Sequence, residues 1–461
     1  MNLENDEIIK LLRKTGSKIY LVGGAVRDVF LKRENHDKDI IVLDTSAHDF
    51  AGKFARENSA IPVCLDRKNN IFRVVMKDKI NYVDITNPVN NSLDEDLKRR
   101  DLTINAAAME INTGKIYDPL NGLEDIKNGI IRAISEDNFI NDPLRMLRAY
   151  RFASVLGFKI ENQTRVMIRK HLDLILTPAI ERRNSEILKL FGGKFADEIL
   201  KITDDDGIIE LLFPIMKDVK KVPSNTHHHL DLFHHSIETV KQIQSIYETS
   251  RIEVKEHLES IPFGVENRLS HLKLAGFLHD IGKFSTWTIE ENGRHRFIGH
   301  DETGASKAQS ILTKSKFSKK QVEYITFLIR YHIYPSSVVS APNLSDKIFM
   351  RYIRRTRDRA VDLITLAKAD RLSARGVMVT DEMVRENITK LNSLQDFYIK
   401  IKPTLKPLPK LLTGNDIMKI RKMKPSRELG EIIDALNEAQ SEGKISTVRA
   451  AIKFVKSYKL N

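Results

Sequence analysis

The chain contains a single cysteine, Cys64, among 461 residues, and a single tryptophan. One cysteine excludes an intrachain disulfide and a zinc site built on cysteines. No apolar run approaches the length that spans a bilayer. Residues 1–18 mix charges with apolar residues and lack the apolar core of a signal peptide. We therefore expect a protein of the reducing cytoplasm with no membrane partner.

The composition is that of a globular protein with an excess of basic charge. Hydrophobic residues make up 41%, and the length allows two to four domains. The 75 Lys and Arg residues exceed the 62 Asp and Glu residues, for a net charge of +13. Such an excess suits a polyanionic partner, although a large protein can carry it without any function. Charge alone favours nucleic acid only modestly.

A glycine turn between a strand and a helix is the first motif of the chain. Residues 18–22 are short and mostly apolar, as in a buried strand. Gly23 and Gly24 then allow the backbone to approach a ligand closely. Residues 25–32 are predicted to be helical, with free N–H groups that face the turn and suit a phosphate. A glycine pair alone most often marks a plain turn.

Two carboxylates follow the glycine turn. Asp37 and Asp39 precede the apolar residues 40–42, which continue as a strand. Residues two apart on a strand point to the same face, so the two carboxylates lie side by side. That arrangement suits divalent metals that handle a nucleotide triphosphate. Taken alone, the pair could also be a solvated strand end.

Further charged residues follow in the same region. Strands are predicted at 61–65, 72–76 and 82–85, and a helix at 45–58 with a cap at residue 45 or 46. Asp84 is either a third metal carboxylate or a strand end facing solvent. Arg100, in the string RRDLTINA at 99–106, could grip triphosphate oxygens or belong to an ordinary salt-bridged turn.

The string NDPLRMLRAYRF at 141–152 begins a predicted helix. Asp142 is a natural N-cap and Pro143 a natural first-turn residue. Asp142, Arg145 and Arg148 recur every three residues and share roughly one face. Two cations at the positive end of the helix dipole are unusual for a plain surface helix.

A second constellation lies in the later half of the chain. Imidazole and carboxylate side chains suit a divalent transition metal, and six of them are candidate ligands of one site. They are His235, His279, Asp280, His300, His332 and Asp370. A single helical histidine is usually structural, but the order of these six resembles the pattern of the HD-domain phosphohydrolases, and that resemblance favours a metal site.

These motifs resemble the DNA polymerase beta-like nucleotidyltransferases, in particular the bacterial CCA-adding tRNA nucleotidyltransferase and poly(A) polymerase family (class II). The resemblance implies that Asp37 and Asp39 are catalytic and bind Mg²⁺, and that Asp101 and Asn105 order the site. It implies a nucleotide-binding set of Gly24, Arg27, Arg100, Asp142, Arg145 and Arg148.

One residue of the string at 141–152 departs from the family pattern. The residue before Asp142 is commonly Glu in the family and is Asn141 here, which leaves Asp142 and Arg145 intact. Glu181, Arg182 and Glu186 either resemble the helix that closes the nucleotide site in the family or are ordinary charges of a surface helix. The six His and Asp residues resemble an HD-domain phosphohydrolase, acting on nucleotides with a 2′-phosphate or a 2′,3′-cyclic phosphate.

The expected fold class is α+β: a polymerase beta-like head with a mixed sheet, then an all-α neck, an HD-type body and a C-terminal tail. We place the head at 1–135, the neck at 136–215, the HD domain at 216–400 and a helical module at 401–461. Prolines within 402–410 mark a linker. A basic cluster at 419–424 is either a solvated surface or a phosphate contact.

The expected function is template-independent addition of C and A, as CCA or part of it, to tRNA 3′ ends from CTP and ATP. Asp142 and Arg145 would select the base. A poly(A) polymerase is the alternative enzyme, although residues 67–73 do not look like the basic signature of that branch. A catalytically inactive RNA-binding or nucleotide-binding protein is the third alternative. The oligomeric state stays open.

Overall fold

The computed structural model describes residues 6–33, 37–226, 228–405, 409–441 and 443–459. Within these ranges the side chains of Asp37, Arg427, Asp434, Glu438 and Ser441 lie outside the description. The chain divides into two compact units, Met1–Leu212 and Phe213–Asn461. No helix in the described ranges is long and apolar enough to cross a membrane.

A mixed seven-stranded sheet forms the centre of the first unit as far as it is described. Its strand order is β3-β4-β5-β2-β1-β6-β7. Strands β2 and β5 pair in parallel and the other neighbours are antiparallel. The strands are β1 (Ile19–Val22), β2 (Asp37–Val42), β3 (Ile61–Asp66), β4 (Ile71–Val75), β5 (Tyr82–Thr86), β6 (Ala108–Glu110) and β7 (Ile116–Tyr117), with a separate parallel pair β8 (Ile130–Ile131) and β9 (Lys159–Ile160).

The helices of the first unit surround this sheet and then continue without it. They are α1 (Glu7–Lys14), α2 (Gly24–Phe30), α3 (Ala47–Glu57), α4 (Leu93–Lys98), α5 (Gly122–Asn128), α6 (Glu136–Asn141), α7 (Leu144–Leu156), α8 (Asn162–Lys170), α9 (Ile180–Gly192), α10 (Ala196–Asp205) and α11 (Ile208–Leu212). The α+β expectation is confirmed, with the sheet confined to the head.

Helix α3 shows how the sequence pattern builds this core. Phe50 and Phe54 are one turn apart, so both face inward and are buried. Ser46 caps the helix by accepting a hydrogen bond from the Asp49 N–H at 3.0 Å. The prediction of a capped helix at 45–58 is therefore confirmed. The apolar cluster it joins includes Ile40 and Val42 of β2, which anchors the strand that carries Asp39.

The second unit is helical apart from one hairpin, within the residues described for it. Its elements are α12 (Met216–Val219), α13 (Leu232–Thr249), α14 (Ile252–Glu259), α15 (Arg268–Leu278), α16 (Lys283–Thr286), β10 (Trp287–Ile289), β11 (His295–Phe297), α17 (His300–Lys314), α18 (Lys319–Tyr331), α19 (Tyr334–Val339), α20 (Asp346–Thr356), α21 (Ala360–Ser373), α22 (Asp381–Ile401), α23 (Gly414–Arg421), α24 (Arg427–Ser441) and α25 (Val448–Ser457). Every residue of α15 is buried, which makes it the central helix.

The four predicted domains stay a prediction. The two compact units divide between residues 212 and 213, close to the predicted boundary at 215. Helices α23 to α25 share an apolar core of their own, which includes Ile417, Ile432 and Val455. Part of the predicted linker, residues 406–408, lies outside the described residues.

Candidate active site and metal centre

An open cavity of about 450 Å³ in the first unit gathers the residues of the predicted nucleotide site. We call it the head cavity. Asp39 and all six predicted nucleotide-binding residues line it. The full lining is Gly23, Gly24, Ala25, Arg27, Asp28, Asp39, Arg100, Asp101, Asn105, Asp142, Leu144, Arg145, Arg148, Arg151, Phe152 and Arg182.

The glycine turn brings the backbone against two charged side chains. Gly23 has φ 69° and ψ −137°, a conformation that L residues with a side chain rarely adopt. A Cβ atom at this position would lie 2.7 Å from Arg100 Nη1 and 3.4 Å from Asp39 Oδ2. Gly24 opens α2, where a Cβ would lie 3.3 Å from Arg27 Nη2. Gly23 is therefore the more constrained glycine, whereas the sequence prediction singled out Gly24.

The two predicted metal carboxylates belong to β2, beside this turn. Asp39 lines the head cavity. Asp37 begins the strand, and its side chain lies outside the described residues, so its role stays a prediction. Asp84 on β5 stands in register with Asp39. Its two carboxylate oxygens accept hydrogen bonds from Arg73 Nε and Nη2, both at 2.7 Å, so Asp84 has a structural partner whichever role it plays.

A polar network connects two of the predicted arginines. Arg148 Nε donates to Asp101 Oδ2 at 2.6 Å, and Asn105 Nδ2 donates to Asp101 Oδ1 at 3.0 Å. Arg27 Nη1 donates to Asn105 Oδ1 at 2.7 Å. Burial by itself would raise the pKa of Asp101, but Arg148 and Asn105 lower it to about 2. Asp101 is therefore a buried anion that holds the cavity arginines in place.

Arg100 is anchored from the opposite side. Its Nη2 donates to Asp96 Oδ2 at 3.1 Å, and the Asp96 side chain is only 1% exposed. Its Nη1 lies at the glycine turn, 2.7 Å from the position that a Cβ atom on residue 23 would occupy. Arg100 therefore stands where a phosphate cradled by that turn would meet it.

The structure contradicts one detail of the predicted helix start. Asp142 does not cap α7, because Pro143 occupies the N-cap position and no side chain makes a capping bond there. Asp142 follows the last residue of α6 and has φ −141° and ψ 88°, which are not helical values. Its carboxylate therefore makes no capping hydrogen bond to α7, and it lines the head cavity instead.

Arg145 is fixed by main-chain carbonyl groups beside Asp142. Its Nη1 donates to the Arg99 carbonyl oxygen at 2.6 Å and to the Asn138 carbonyl oxygen at 3.4 Å. Its Nε lies 3.8 Å from Asp142 Oδ2, and Arg182 Nη2 approaches the same oxygen at 3.4 Å. Burial lowers the pKa of Arg145, while Asp101 and Asp142 raise it. The pair offers acceptors and donors side by side.

Sequence reasoning missed two residues of this cavity, Arg151 and Phe152. Arg151 Nε lies 2.9 Å from Glu186 Oε2, and its guanidinium carbon lies 3.7 Å from the centre of the Phe152 ring. Burial lowers the pKa of Arg151 to about 10. The three-residue spacing of Arg145 and Arg148 continues to Arg151, so the signal was present.

The six predicted metal ligands converge in the second unit. His235 lies in the first turn of α13, and His279 and Asp280 follow the end of α15. His300 opens α17, His332 follows α18, and Asp370 lies near the end of α21. Helix ends thus bring residues from five distant segments to one place.

The ligand atoms form two groups that share one carboxylate. His235, His279, Asp280 and Asp370 form the first group, and Asp280, His300 and His332 form the second. Within each group the ligand atoms lie within 4.8 Å of one another. Asp280 Oδ2 lies 3.2 Å from His279 Nε2, and Asp280 Oδ1 lies 3.4 Å from His300 Nε2. We call the two groups together the metal cluster.

The histidines are held with Nε2 facing the cluster. The Nδ1 atoms of three of them contact main-chain carbonyls: His279 with Gly276 at 2.7 Å, His300 with Phe297 at 2.8 Å, and His332 with Ile329 at 2.6 Å. Such contacts fix the ring orientation of a metal ligand.

Buried polar atoms without hydrogen bonds support the fit to a cation. In the described part of the chain, these include both nitrogens of His235, His279 Nε2 and Asp280 Oδ1. Such orphaned atoms are costly unless something pairs with them. Burial by itself would lower the pKa of His279, but Asp280 and Asp370 raise it to about 10, so these carboxylates favour a positive charge at this place. The donor set therefore fits divalent metal ions.

A lysine that the sequence prediction omitted also reaches the cluster. Lys283 Nζ lies 2.6 Å from Asp280 Oδ2, and the side chain is 9% exposed. Because Lys283 follows Asp280 by three residues, the helical spacing could have indicated it.

Three family descriptions match separate parts of the chain. Residues 19–132 match the Poly A polymerase head domain, and residues 157–220 match a probable RNA- and SrmB-binding site of polymerase A. Residues 232–375 match the HD domain. A polymerase-type nucleotidyltransferase head joined to an HD unit is thus the class of protein that the fold and the sites define.

Comparison along the whole chain narrows this class. An A-adding tRNA nucleotidyltransferase of Deinococcus radiodurans is 30% identical over 445 residues, which cover 95% of each chain. A CC-adding tRNA nucleotidyltransferase of Thermus thermophilus is 29% identical over 96% of this chain and 94% of that one. The chain belongs to the tRNA nucleotidyltransferase family.

The fold has solved counterparts. A structure of the Thermotoga maritima CCA-adding enzyme complexed with tRNA matches with a TM-score of 0.56 at 20% identity. The match covers 98% of this chain and 96% of that chain. At this level of identity the likeness concerns the fold.

Proposed function

We propose that the protein adds C and A, as CCA or part of it, to the 3′ ends of tRNA from CTP and ATP without a template, in the cytoplasm. The observation that carries this proposal is the head cavity, which joins a glycine turn, the metal carboxylate Asp39 and six arginines in one place. The full-length relatives that act on tRNA support it.

The arginines suit the triphosphate of the incoming nucleotide. Arg100 faces the glycine turn, and the network through Asp101 and Asn105 orients Arg27 and Arg148 before any substrate arrives. A guanidinium offers a planar fork of donors for phosphate oxygens. Preorganised donors stabilise the charge that develops during phosphoryl transfer. Arg27, Arg100 and Arg148 are therefore assigned to phosphate binding.

Asp39, together with Asp37 from the sequence prediction, would hold Mg²⁺ beside this phosphate site. Carboxylate oxygens are the ligands that Mg²⁺ prefers, and Asp39 Oδ2 lies 3.4 Å from the Cβ position of the glycine turn. Bound magnesium would activate the RNA 3′-hydroxyl and neutralise charge on the triphosphate. The protein groups then contribute by holding the hydroxyl and the α-phosphate in position.

Asp142 and Arg145 are assigned to base selection. Cytosine and adenine share an exocyclic amino donor beside a ring-nitrogen acceptor, whereas uracil and guanine present a carbonyl beside a ring N–H. Ionised Asp142 only accepts and Arg145 only donates, so the pair complements C and A. The main-chain contacts of Arg145 keep its guanidinium from turning to suit another base.

One assay tests this proposal and separates it from its alternatives. Purified protein is incubated with CTP and ATP and with tRNAs that end before the first C, after CC and after CCA, and the products are sequenced. We expect defined additions that stop at a complete CCA end. Long A tails would indicate a poly(A) polymerase, and a lack of any product would indicate an inactive binding protein. The relatives include both an A-adding and a CC-adding enzyme, so the three substrates are needed.

We further propose that the metal cluster is a two-ion phosphohydrolase centre. Its support is that Asp280 belongs to both ligand groups, so this carboxylate would help to hold each of two divalent ions. Such a pair of ions would bind a phosphate and activate a water. Lys283 lies beside Asp280 and would be a further cation for phosphate charge. Nucleotides with a 2′-phosphate or a 2′,3′-cyclic phosphate are the proposed substrates.

A further inference from the structure

The second unit contains an arginine-rich cavity that neither proposed site uses. Its volume is about 580 Å³, and it lies between α18 and the chain that runs from the end of α20 into the 3₁₀ turn Arg357–Arg359. We call it the arginine cavity. Five arginines line it: Arg330, Arg354, Arg355, Arg357 and Arg359.

The carboxylates of this cavity do not neutralise those arginines. Only Glu323 and Asp358 contribute acidic groups to the lining. Asp358 accepts a hydrogen bond from Arg268 Nη2 at 2.8 Å, and Glu323 lies 3.8 Å from Lys319 Nζ, so both have partners outside the cavity. Arg330 Nε pairs with Glu302 Oε2 at 2.8 Å. Among the described residues, Arg354, Arg357 and Arg359 have no carboxylate partner, which leaves a positive charge on the segment that follows α20.

Aromatic rings hold two of the arginines in a stacked series. The Arg359 guanidinium lies 4.5 Å from the centre of the Phe327 ring, and Phe327 and Tyr331 have ring centres 4.6 Å apart. The Arg355 guanidinium lies 5.0 Å from Tyr331 and 5.1 Å from Tyr334. Such cation–π contacts restrict the guanidinium groups. Less conformational entropy is then lost when a ligand binds.

A helix end does not by itself explain this charge. Arg354 and Arg355 lie in the last turn of α20, where cations favour the helix dipole. Arg357 and Arg359 follow that helix, however, and Arg330 belongs to α18. Arg357 also has φ 53° and ψ −125°, a strained conformation for a residue with a side chain. The cluster therefore exceeds what the local fold requires.

We propose that the arginine cavity binds backbone phosphates of the RNA substrate, an inference that rests on the proposed function. Arginine forks bind phosphate oxygens through two parallel hydrogen bonds. Arg330, Arg354 and Arg357 are exposed and belong to two separate segments. Charge spread along a surface suits a polyanion that passes across it, whereas a single small anion would need converging donors. The cavity thus supplies sequence-independent affinity for RNA.

The test uses the double variant Arg354→Ala, Arg357→Ala in the full chain. The control, Arg385→Ala with Lys400→Ala, removes the same charge from exposed positions of α22 in the same unit. The dissociation constant for a tRNA transcript without its CCA end is measured over a series of KCl concentrations. We expect the affinity of the test variant to fall roughly 10-fold at low salt. The slope of log K against log salt should decrease by about one to two, because each lost phosphate contact contributes about 0.7–0.9.

Several readouts separate this inference from a general defect. The kcat at saturating tRNA and the KM values for CTP and ATP should match those of the parent protein. The pair Arg354→Lys, Arg357→Lys retains the charge and should restore most of the salt slope.

If the test variant binds tRNA as the control does, the inference is wrong. It is equally wrong if the test variant loses binding of inorganic triphosphate while its affinity for tRNA stays intact. A parent protein that extends no tRNA would overturn the proposed function, while the same titration would still decide whether this cavity binds RNA.

Discussion

Arg100 Nη1 lies 2.7 Å from the point that a Cβ atom on Gly23 would occupy. Any side chain at position 23 would therefore displace the guanidinium that faces the glycine turn. We expect Gly23→Ala to reduce kcat/KM for nucleotide addition by about 100-fold, since small displacements of positioned groups have effects of this order. Steady-state kinetics with CTP and ATP measure the loss.

Gly16 provides the matched control for this variant. It has a similar positive φ of 70°, yet a Cβ there would meet nothing within 4 Å. Gly16→Ala should therefore cost about 1 kcal/mol of stability through its positive φ alone, whereas Gly23→Ala adds the contact with Arg100 to the backbone strain. Only Gly23→Ala should lose activity. Equal kinetic defects in the two variants would show that backbone strain, rather than contact with Arg100, matters at this turn.

Asp39→Asn should abolish nucleotide addition while the fold and the tRNA affinity stay close to those of the parent. The change removes the charge of the cavity carboxylate without changing its size, so metal binding is lost and packing is retained. Circular dichroism and a tRNA titration provide the structural readouts. Glu57→Gln, which removes one negative charge from the surface of α3, is the control. Retained nucleotide addition in Asp39→Asn would refute the assignment of Asp39 to the metal site.

The same kinetic measurement on Asp84→Asn decides whether Asp84 also belongs to the metal site or only pairs with Arg73.

Asp142→Ala should relax base selection more than it slows transfer. Loss of the acceptor removes the preference for an exocyclic amino group, so discrimination against UTP and GTP should fall by about 1–3 kcal/mol. Single-turnover incorporation of all four nucleotides measures it. Asp137→Ala, an exposed carboxylate of α6, is the control. An unchanged preference for CTP and ATP in Asp142→Ala would remove Asp142 from base selection.

The buried ion pair of Asp101 and Arg148 predicts a pH dependence of stability. Because the pKa of Asp101 is lowered to about 2 in the folded chain, its stabilising effect is present above pH 4 and is lost as the pH falls toward 2. The effect at neutral pH is roughly 2 kcal/mol. Urea unfolding of the parent and of Asp101→Asn should differ by about that much at pH 7, and the difference should shrink in acid. Arg148→Gln should weaken the same pH dependence, and a difference that stays constant down to pH 2 would contradict the pairing.

The metal cluster predicts a stoichiometry. We expect the purified protein, loaded with a divalent transition metal, to bind two ions per chain. Asp280→Ala should bind neither, because both ligand groups include Asp280, whereas His332→Ala and Asp370→Ala should each keep one. Elemental analysis after gel filtration measures the content. Nucleotide addition should persist in all three variants and reports that the chain is folded. Loss of a single ion in Asp280→Ala would argue against a bridging carboxylate.

Local patterns made part of the fold and site predictable. The glycine turn and the Asp37–Asp39 spacing lie within one strand-turn-helix-strand stretch, so their adjacency follows from neighbouring residues. The six predicted metal ligands were identified from the sequence, and the structure brings them together. The separation of the cluster into two groups depends on tertiary packing and left no trace in the sequence.

Other features depended on register or on distant packing. Asp142 was assigned to a helix cap because Asp before Pro favours that role, but the helix begins one residue later and frees the carboxylate. The pairing of Asp84 with Arg73 depends on the register of β4 against β5. The arginine cavity combines α18 with a segment more than twenty residues away, so neither stretch indicates it alone.

The main-chain contact of Arg145 has a consequence for fidelity. Its Nη1 donates to the carbonyl of Arg99, and that carbonyl belongs to the peptide unit that leads into Arg100. Displacement of the guanidinium assigned to the base would therefore disturb the peptide that carries Arg100, whose guanidinium is assigned to the phosphate. A mismatched nucleotide would bind more weakly and would also hold its triphosphate out of line. Error rejection would then act twice on the same nucleotide, once at docking and once at bond formation.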